Sequence, residues 1–131
     1  MLPFDDKRRG LEVGAVKELR GIARFKFKEG KLEEFKRLAA QAAEIVRTKD
    51  TGTLEYETHF NDDESECLVL ERFRDSDALI EHTANIGELS EKILSIVDVV
   101  HGELVGEASA QIREALANSE YDYPHLFSKP I

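Results

Sequence analysis

Between Cys67 and Phe73 the chain is apolar on both parities: Cys67, Val69 and Phe73 fall on one, Leu68 and Leu70 on the other. Successive side chains of a strand point to opposite faces of its sheet. A strand of this composition therefore belongs to a sheet covered on both faces. The rest of the chain has to be read for what supplies the two covers.

Glu18 to Phe27 alternates, with Leu19, Gly21, Ala23, Phe25 and Phe27 against Arg20, Ile22, Arg24 and Lys26, the pattern of a first strand. After Glu29-Gly30, residues Leu32, Phe35, Leu38, Ala39, Ala42, Ile45 and Val46 recur at three and four, an amphipathic helix. It stops near Lys49-Asp50-Thr51-Gly52, where Gly52 is expected to supply a left-handed or loop conformation. Thr53 to Phe60 alternates again, with Leu54, Tyr56, Thr58 and Phe60 on one face. The polar turn Asn61–Ser65 joins it to the strand Glu66–Arg74 as a hairpin. That acidic turn does not have the spacing of a calcium loop.

Asp75 or Ser76 caps a second helix with Leu79, His82, Thr83 and Ile86 on one face, interrupted or kinked at Gly87 and continued by Leu89, Ile93, Ile96 and Val97. Val99 to Glu107 reads as a fourth strand, and Ser109 caps a short helix through Ala117 with Ile112, Ala115 and Leu116 inward. The order β-α-β-β-α-β with an extra C-terminal helix and tail is a ferredoxin-like α+β plan. Residues 1–17 form an N-terminal arm, 18–107 the domain, and 108–131 a helix and tail that pack on the dimer or the pocket.

Two helices cover one face of such a sheet. A second copy packed sheet on sheet covers the other, which predicts a homodimer. The tail residues Tyr121, Tyr123, Pro124, Leu126, Phe127 and Ile131 are too apolar to hang free and are expected over the partner or a pocket mouth.

A net charge of −9 over 131 residues argues against a nucleic-acid partner. The opening Met-Leu-Pro-Phe-Asp-Asp lacks a signal-peptide layout, and no window is apolar enough for a membrane span. The single cysteine, Cys67, forms no internal disulfide and reads as a small buried apolar residue in a cytoplasmic protein.

Several segments together resemble the antibiotic biosynthesis monooxygenase family. They are Phe25-Lys26-Phe27-Lys28-Glu29-Gly30-Lys31, then Phe35, then Gly52-Thr53-Leu54-Glu55-Tyr56, then Glu71-Arg72-Phe73 with Ser76, Ala78 and His82. The match runs from about residue 19 to 107. It implies a dimeric α+β barrel with a pocket in each subunit between the sheet and its own helices. It also implies oxidation of quinols or aromatic polyketide intermediates by molecular oxygen, with no metal or bound flavin. Relatives of this fold degrade haem. The resemblance puts their axial histidine in the region of Ser90-Glu91-Lys92-Ile93, where this chain has none, their distal asparagine near Ala23, and their distal tryptophan at His82. The chain has no tryptophan, so haem degradation is not expected.

The candidate catalytic residues are Glu71 and His82. Glu71 lies roughly 10 Å back from its strand end at about 3.3 Å per residue, and His82 roughly 9 Å along its helix at about 1.5 Å per residue. A helix folding back over the strand brings them to one level. There a neutral imidazole accepts a phenolic proton and the carboxylate orients it. The competing reading pairs Glu71 with Arg20, Arg24 or Arg72 and makes His82 a satisfied core residue that leucine replaces at little cost. Tyr56, Phe25, Phe73 and Leu79 are the expected substrate-binding side chains. The four histidines, His59, His82, His101 and His125, have no metal-ligand spacing.

The expected function is a cofactor-independent monooxygenase acting on a quinol or aromatic small molecule. A non-enzymatic small-molecule-binding or stress-response protein, or an isomerase or decarboxylase using the same pocket, are the other readings.

Overall fold

Strand β1 (Leu19–Phe27) is the centre of the molecule, bonded on one side to β3 (Glu66–Phe73) and on the other to β4 (Val97–Val105). The computed structural model describes residues 17–119 and 124–131. Besides these strands it has α1 (Leu32–Lys49), β2 (Thr53–Phe60), α2 (Ser76–Leu94), α3 (Ala110–Ala117) and β5 (His125–Phe127). The sheet order is β2-β3-β1-β4-β5, antiparallel except for the parallel β4–β5 pair. This is the ferredoxin-like α+β plan with an added C-terminal helix. Most of the expected N-terminal arm, residues 1–16, and Tyr121 and Tyr123 lie outside the described residues.

Side-chain caps fix the starts of α2 and α3. The Asp75 carboxylate accepts from the Ala78 amide at 2.9 Å, and the Ser109 hydroxyl accepts from the Ile112 amide at 3.3 Å. The expected interruption at Gly87 is absent, and α2 is one helix from Ser76 to Leu94. A lone glycine weakens a helix by only about 1 kcal/mol, and Leu89 and Ile93 pack into the core on its far side. Strand β4 begins at Val97, two residues before the expected Val99, because Val97 pairs with Phe27. Thr83 and Ala115, expected inward, are exposed. Leu54 also faces outward, since a register shift between Thr53 and Glu55 places it in a β-bulge.

Residues 125–127 extend the chain's own sheet beside β4, and Leu126 packs on the same cluster as Ile112.

The layer between sheet and helices contains two separate apolar clusters. One joins Phe25, Phe35, Leu38, Ala42, Cys67, Val69, Leu89, Ile96 and Val97. The other joins Leu19, Phe73, Ala78, Leu104 and Ile112. Each of β1, β3 and α2 contributes to both, so the residues between them on those elements form a seam: Gly21 on β1, Glu71 on β3 and His82 on α2. The opposite face of the sheet carries Ile22 and Leu68, with Val105 and Phe127 toward its edge, all substantially exposed.

Candidate active site

Across the sheet, Tyr56, Glu71, Gly21 and Leu104 stand in one cross-strand row. Glu71 shares the parity of Val69 and Phe73, so its side chain lies on the helix side. Gly21 makes room for it: a Cβ there would stand 3.0 Å from the Glu71 Oε1. Helix α2 crosses above and lowers His82, 3% exposed, onto this row. The His82 Nε2 lies 3.8 Å from the Glu71 Oε2, and its ring packs 5.0 Å from Phe73 and 5.6 Å from Tyr56.

The hydrogen-bond partner of His82 is a residue that the sequence did not single out. Its Nδ1 is 2.7 Å from the Asp50 Oδ2. Thr53 Oγ1 donates to the same oxygen at 2.6 Å, and Asn85 Nδ2 donates to Oδ1 at 2.8 Å. Asp50 follows the last turn of α1, and two contacts hold it there. The backbone amide and hydroxyl of Thr51 donate to Glu81 of α2 at 2.8 and 3.0 Å. Gly52 lies against the first turn of α2, where a Cβ would come 2.5 Å from the Ala78 Cβ. Glycine is needed at 52 for close approach, not for a left-handed backbone.

The two carboxyl groups are driven apart. Burial opposes ionisation of Asp50, whose side chain is 1% exposed. The hydrogen bonds from Asn85, Thr53 and His82 outweigh that burial and hold it below the usual carboxylate range. Burial raises Glu71 above that range; His82 offsets part of the rise, and Asp50 adds to it. Burial, with the charges of Glu71 and Asp50, also raises the Tyr56 hydroxyl. Glu71, with 23% of its side chain accessible, is more open to solvent than His82 or Asp50.

Glu71 and His82 come within 3.8 Å of each other, the one level that the sequence reading expected, and the hydrogen bond to the ring is made by Asp50, not Glu71. The proposed arginine partners face the other way: Arg24 pairs with Glu66 at 2.6 Å, and Arg72 with Glu18 at 3.1 Å. Arg20 stands opposite Arg72 on that same face. Tyr56 and Phe73 contact His82. Leu79 sits one turn before it and packs on the Phe73 cluster. Phe25 is not part of the group; it pairs with Cys67, four residues from Glu71 along β3, and packs on Phe35.

His59 and His101 are exposed, bonded to Glu57 and Glu103. Among the described residues no three His, Cys, Asp or Glu side chains are arranged to hold a metal ion. No described helix is long and apolar enough to cross a membrane. The Cys67 thiol is buried, and burial pushes it up to about 11.

Comparison with solved structures gives the same architecture. The chain is similar to MupZ from Pseudomonas fluorescens, with 26% identity and a TM-score of 0.72 over 86% of this chain and 90% of that one. It is also similar to Rv0793 from Mycobacterium tuberculosis, at 19% identity and TM-score 0.61 over 70% of this chain and 96% of that one. SnoaB, a cofactor-independent oxygenase from Streptomyces nogalater, shares 16% identity at TM-score 0.60 over 72% of this chain and 97% of that one. These last two likenesses concern the fold alone. No curated protein sequence matches the chain. The model of antibiotic biosynthesis monooxygenases matches residues 19–86, from the first residue of β1 into the helix that carries His82. That match covers more than half of the 131 residues, and the chain belongs to the antibiotic biosynthesis monooxygenase family.

Proposed function

We propose that this protein is a cofactor-independent monooxygenase that oxidises a quinol or hydroxyarene with molecular oxygen. The observation that carries the reading is the placement of His82 Nε2, buried and 3.8 Å from the more accessible Glu71 carboxyl group. A hydroxyarene entering past Glu71 loses its O–H proton to this pair, with general-base assistance typically worth about 10²–10⁴-fold in rate. The resulting phenolate gives an electron to oxygen far more readily than the phenol does. Recombination of the two radicals forms a C–O bond at a ring carbon that carries hydrogen, ortho or para to a hydroxyl. Loss of the ring C–H proton and cleavage of the O–O bond then leave a quinone carbonyl and water. One hydroxyarene and one dioxygen thus give one quinone and one water.

Family membership supports an oxygenase role, and the apolar neighbours Tyr56, Phe73 and Leu79 suit an aromatic ring. The reading extends to a cytoplasmic homodimer formed through the sheet face that carries Ile22 and Leu68, and to a subunit of one domain, 18–107, with 108–131 as its C-terminal extension. Oxygen uptake with a panel of dihydroxynaphthalenes, followed by quinone absorbance, tests the activity. Saturable uptake that His82→Gln abolishes while folding is retained is the expected result. Saturable binding of the same compounds without oxygen uptake would instead establish a binding protein and sink the oxygenase reading.

A further inference from the structure

We infer that Asp50 is the positioning residue of this site, fixing the tautomer of His82 so that the bare Nε2 faces Glu71 and the substrate. The inference rests on the proton-abstraction reading above. An ionised carboxylate only accepts hydrogen bonds, and Asp50 Oδ2 is 2.7 Å from His82 Nδ1. The proton on that contact therefore belongs to Nδ1. A neutral imidazole carries one ring proton, so Nε2 is left with a free lone pair on the side where Glu71 stands at 3.8 Å.

The carboxylate is itself held from two further directions, by Thr53 at 2.6 Å and Asn85 at 2.8 Å. Thr53 opens β2 and Asn85 lies on α2, so the anchor is tied to the strand and to the helix that carries His82.

The placement of Asp50 runs against local preference. It follows the C-terminus of α1, where unpaired carbonyls disfavour negative charge, and its side chain is 1% exposed. Burying a charge is weak evidence of a stabilising role, because apolar residues of similar volume often do as well. Gly52 and the Thr51–Glu81 bonds press this loop against α2. When Nε2 takes the substrate proton, the N–H that forms leaves an imidazolium whose other nitrogen already faces an anion. The proton then has a stabilised resting place until the leaving oxygen requires it.

The test reads the His82 ring nitrogens directly, by ¹⁵N-detected NMR on the full chain at alkaline pH. The parent should show a protonated Nδ1 and a bare Nε2; a proton on Nε2 overturns the inference whether or not the protein turns over any substrate. Asp50→Asn should shift the ring to the other tautomer or a mixture of both. It should also lower kcat on an active dihydroxynaphthalene by about 10²–10⁴-fold with KM unchanged. An Asp50→Asn protein with the parent's tautomer and kcat overturns the assignment. Asn85→Ala, which keeps the carboxylate, should retain the Nδ1 proton even if Asp50→Asn does not fold; a tautomer switch there overturns the role of Asp50. If no naphthalenediol is oxidised while the tautomers behave as stated, the positioning by Asp50 stands and the oxygenase reading falls.

Discussion

From the aromatic cluster to the polar seam, the layer between the sheet and its helices is built in two ways at the two ends of that span. At one end Phe35 contacts Phe27, Phe60 and Phe25 at ring distances of 4.7, 6.1 and 6.5 Å. Shape and apolar area do the holding there, and any well-packed set of similar volume would serve. At the other end Asp50, His82, Glu71, Thr53 and Asn85 are held by directional bonds, with one group at a raised and one at a lowered titration. There each side chain is tied to a particular neighbour, and removing one leaves another buried without its partner. The same three elements, β1, β3 and α2, run through both ends, so the difference is one of side chains and not of scaffold.

The largest expected effect belongs to the aromatic end. Phe35 is 2% exposed, and Phe35→Ala should lower stability by about 3–5 kcal/mol, read as a fall in the denaturation midpoint with an unchanged slope. A loss under about 1 kcal/mol would mean that the cluster does not anchor the layer.

His82→Leu comes next. The apolar surroundings suggest a nearly neutral change, and Asp50 reverses that expectation. Leucine removes one of the donors to a buried carboxylate, which should lower stability by about 1–3 kcal/mol. Adding Asp50→Asn to His82→Leu should recover part of the loss, and the double-mutant cycle measures the coupling. Additive changes would break the claimed contrast between the two ends.

The aromatic end and the scaffold were legible from periodicity. Phe25, Phe27, Phe35 and Phe60 sit at the strand and helix spacings their burial requires, and apolar parity locates β1, β3 and α1 within a residue or two. His82 was found because it falls on the apolar face of its helix, and Glu71 because its distance from the strand end brings it level with His82; which sheet face Glu71 takes was not legible. Asp50 was not, because a polar residue beside Thr51-Gly52 at the end of a helix looks like an ordinary turn. Its one signal was electrostatic: an acid where the helix dipole favours a base. Asn85, three residues after His82 on α2, had the spacing of a helical neighbour but no partner to suggest until Asp50 was placed. The strand β5 escaped because three residues are too few for a period to register.

Glu71→Gln probes the polar end through pH. Burial raises Glu71 in the folded chain. An acid with a raised folded value stabilises the protein fully below its unfolded value, about 4.3, and that contribution is lost as pH rises through the folded value. Glutamine cannot ionise, so the variant escapes the loss. The Tm difference, variant minus parent, should start near zero in mild acid and grow more positive toward neutral pH. The opposing group, Asp50, contributes stability that disappears only as pH falls through its lowered value, so its window lies on the acid side. A difference that stays flat or shrinks with rising pH would show that Glu71 is not held against ionisation.

Gly21→Ala should have the smallest effect on stability and an informative one on activity. The new methyl would stand 3.0 Å from the Glu71 Oε1, too close for the present carboxyl position. The obstacle is the far end of a flexible side chain, so Glu71 can swing aside without moving the strands. Alanine in place of glycine within an element also removes an entropic penalty of about 0.5–1 kcal/mol, which offsets the crowding. The melting temperature should therefore change little, while turnover falls because the carboxyl group leaves its place beside Nε2. Shortening the acid in a Gly21→Ala/Glu71→Asp double variant relieves the crowding and should restore part of the rate. Thermal melts and oxygen uptake on the three proteins decide the matter. If Gly21→Ala works at the parent's rate, the position of Glu71 over His82 is incidental, and the polar end differs from the aromatic end in composition alone.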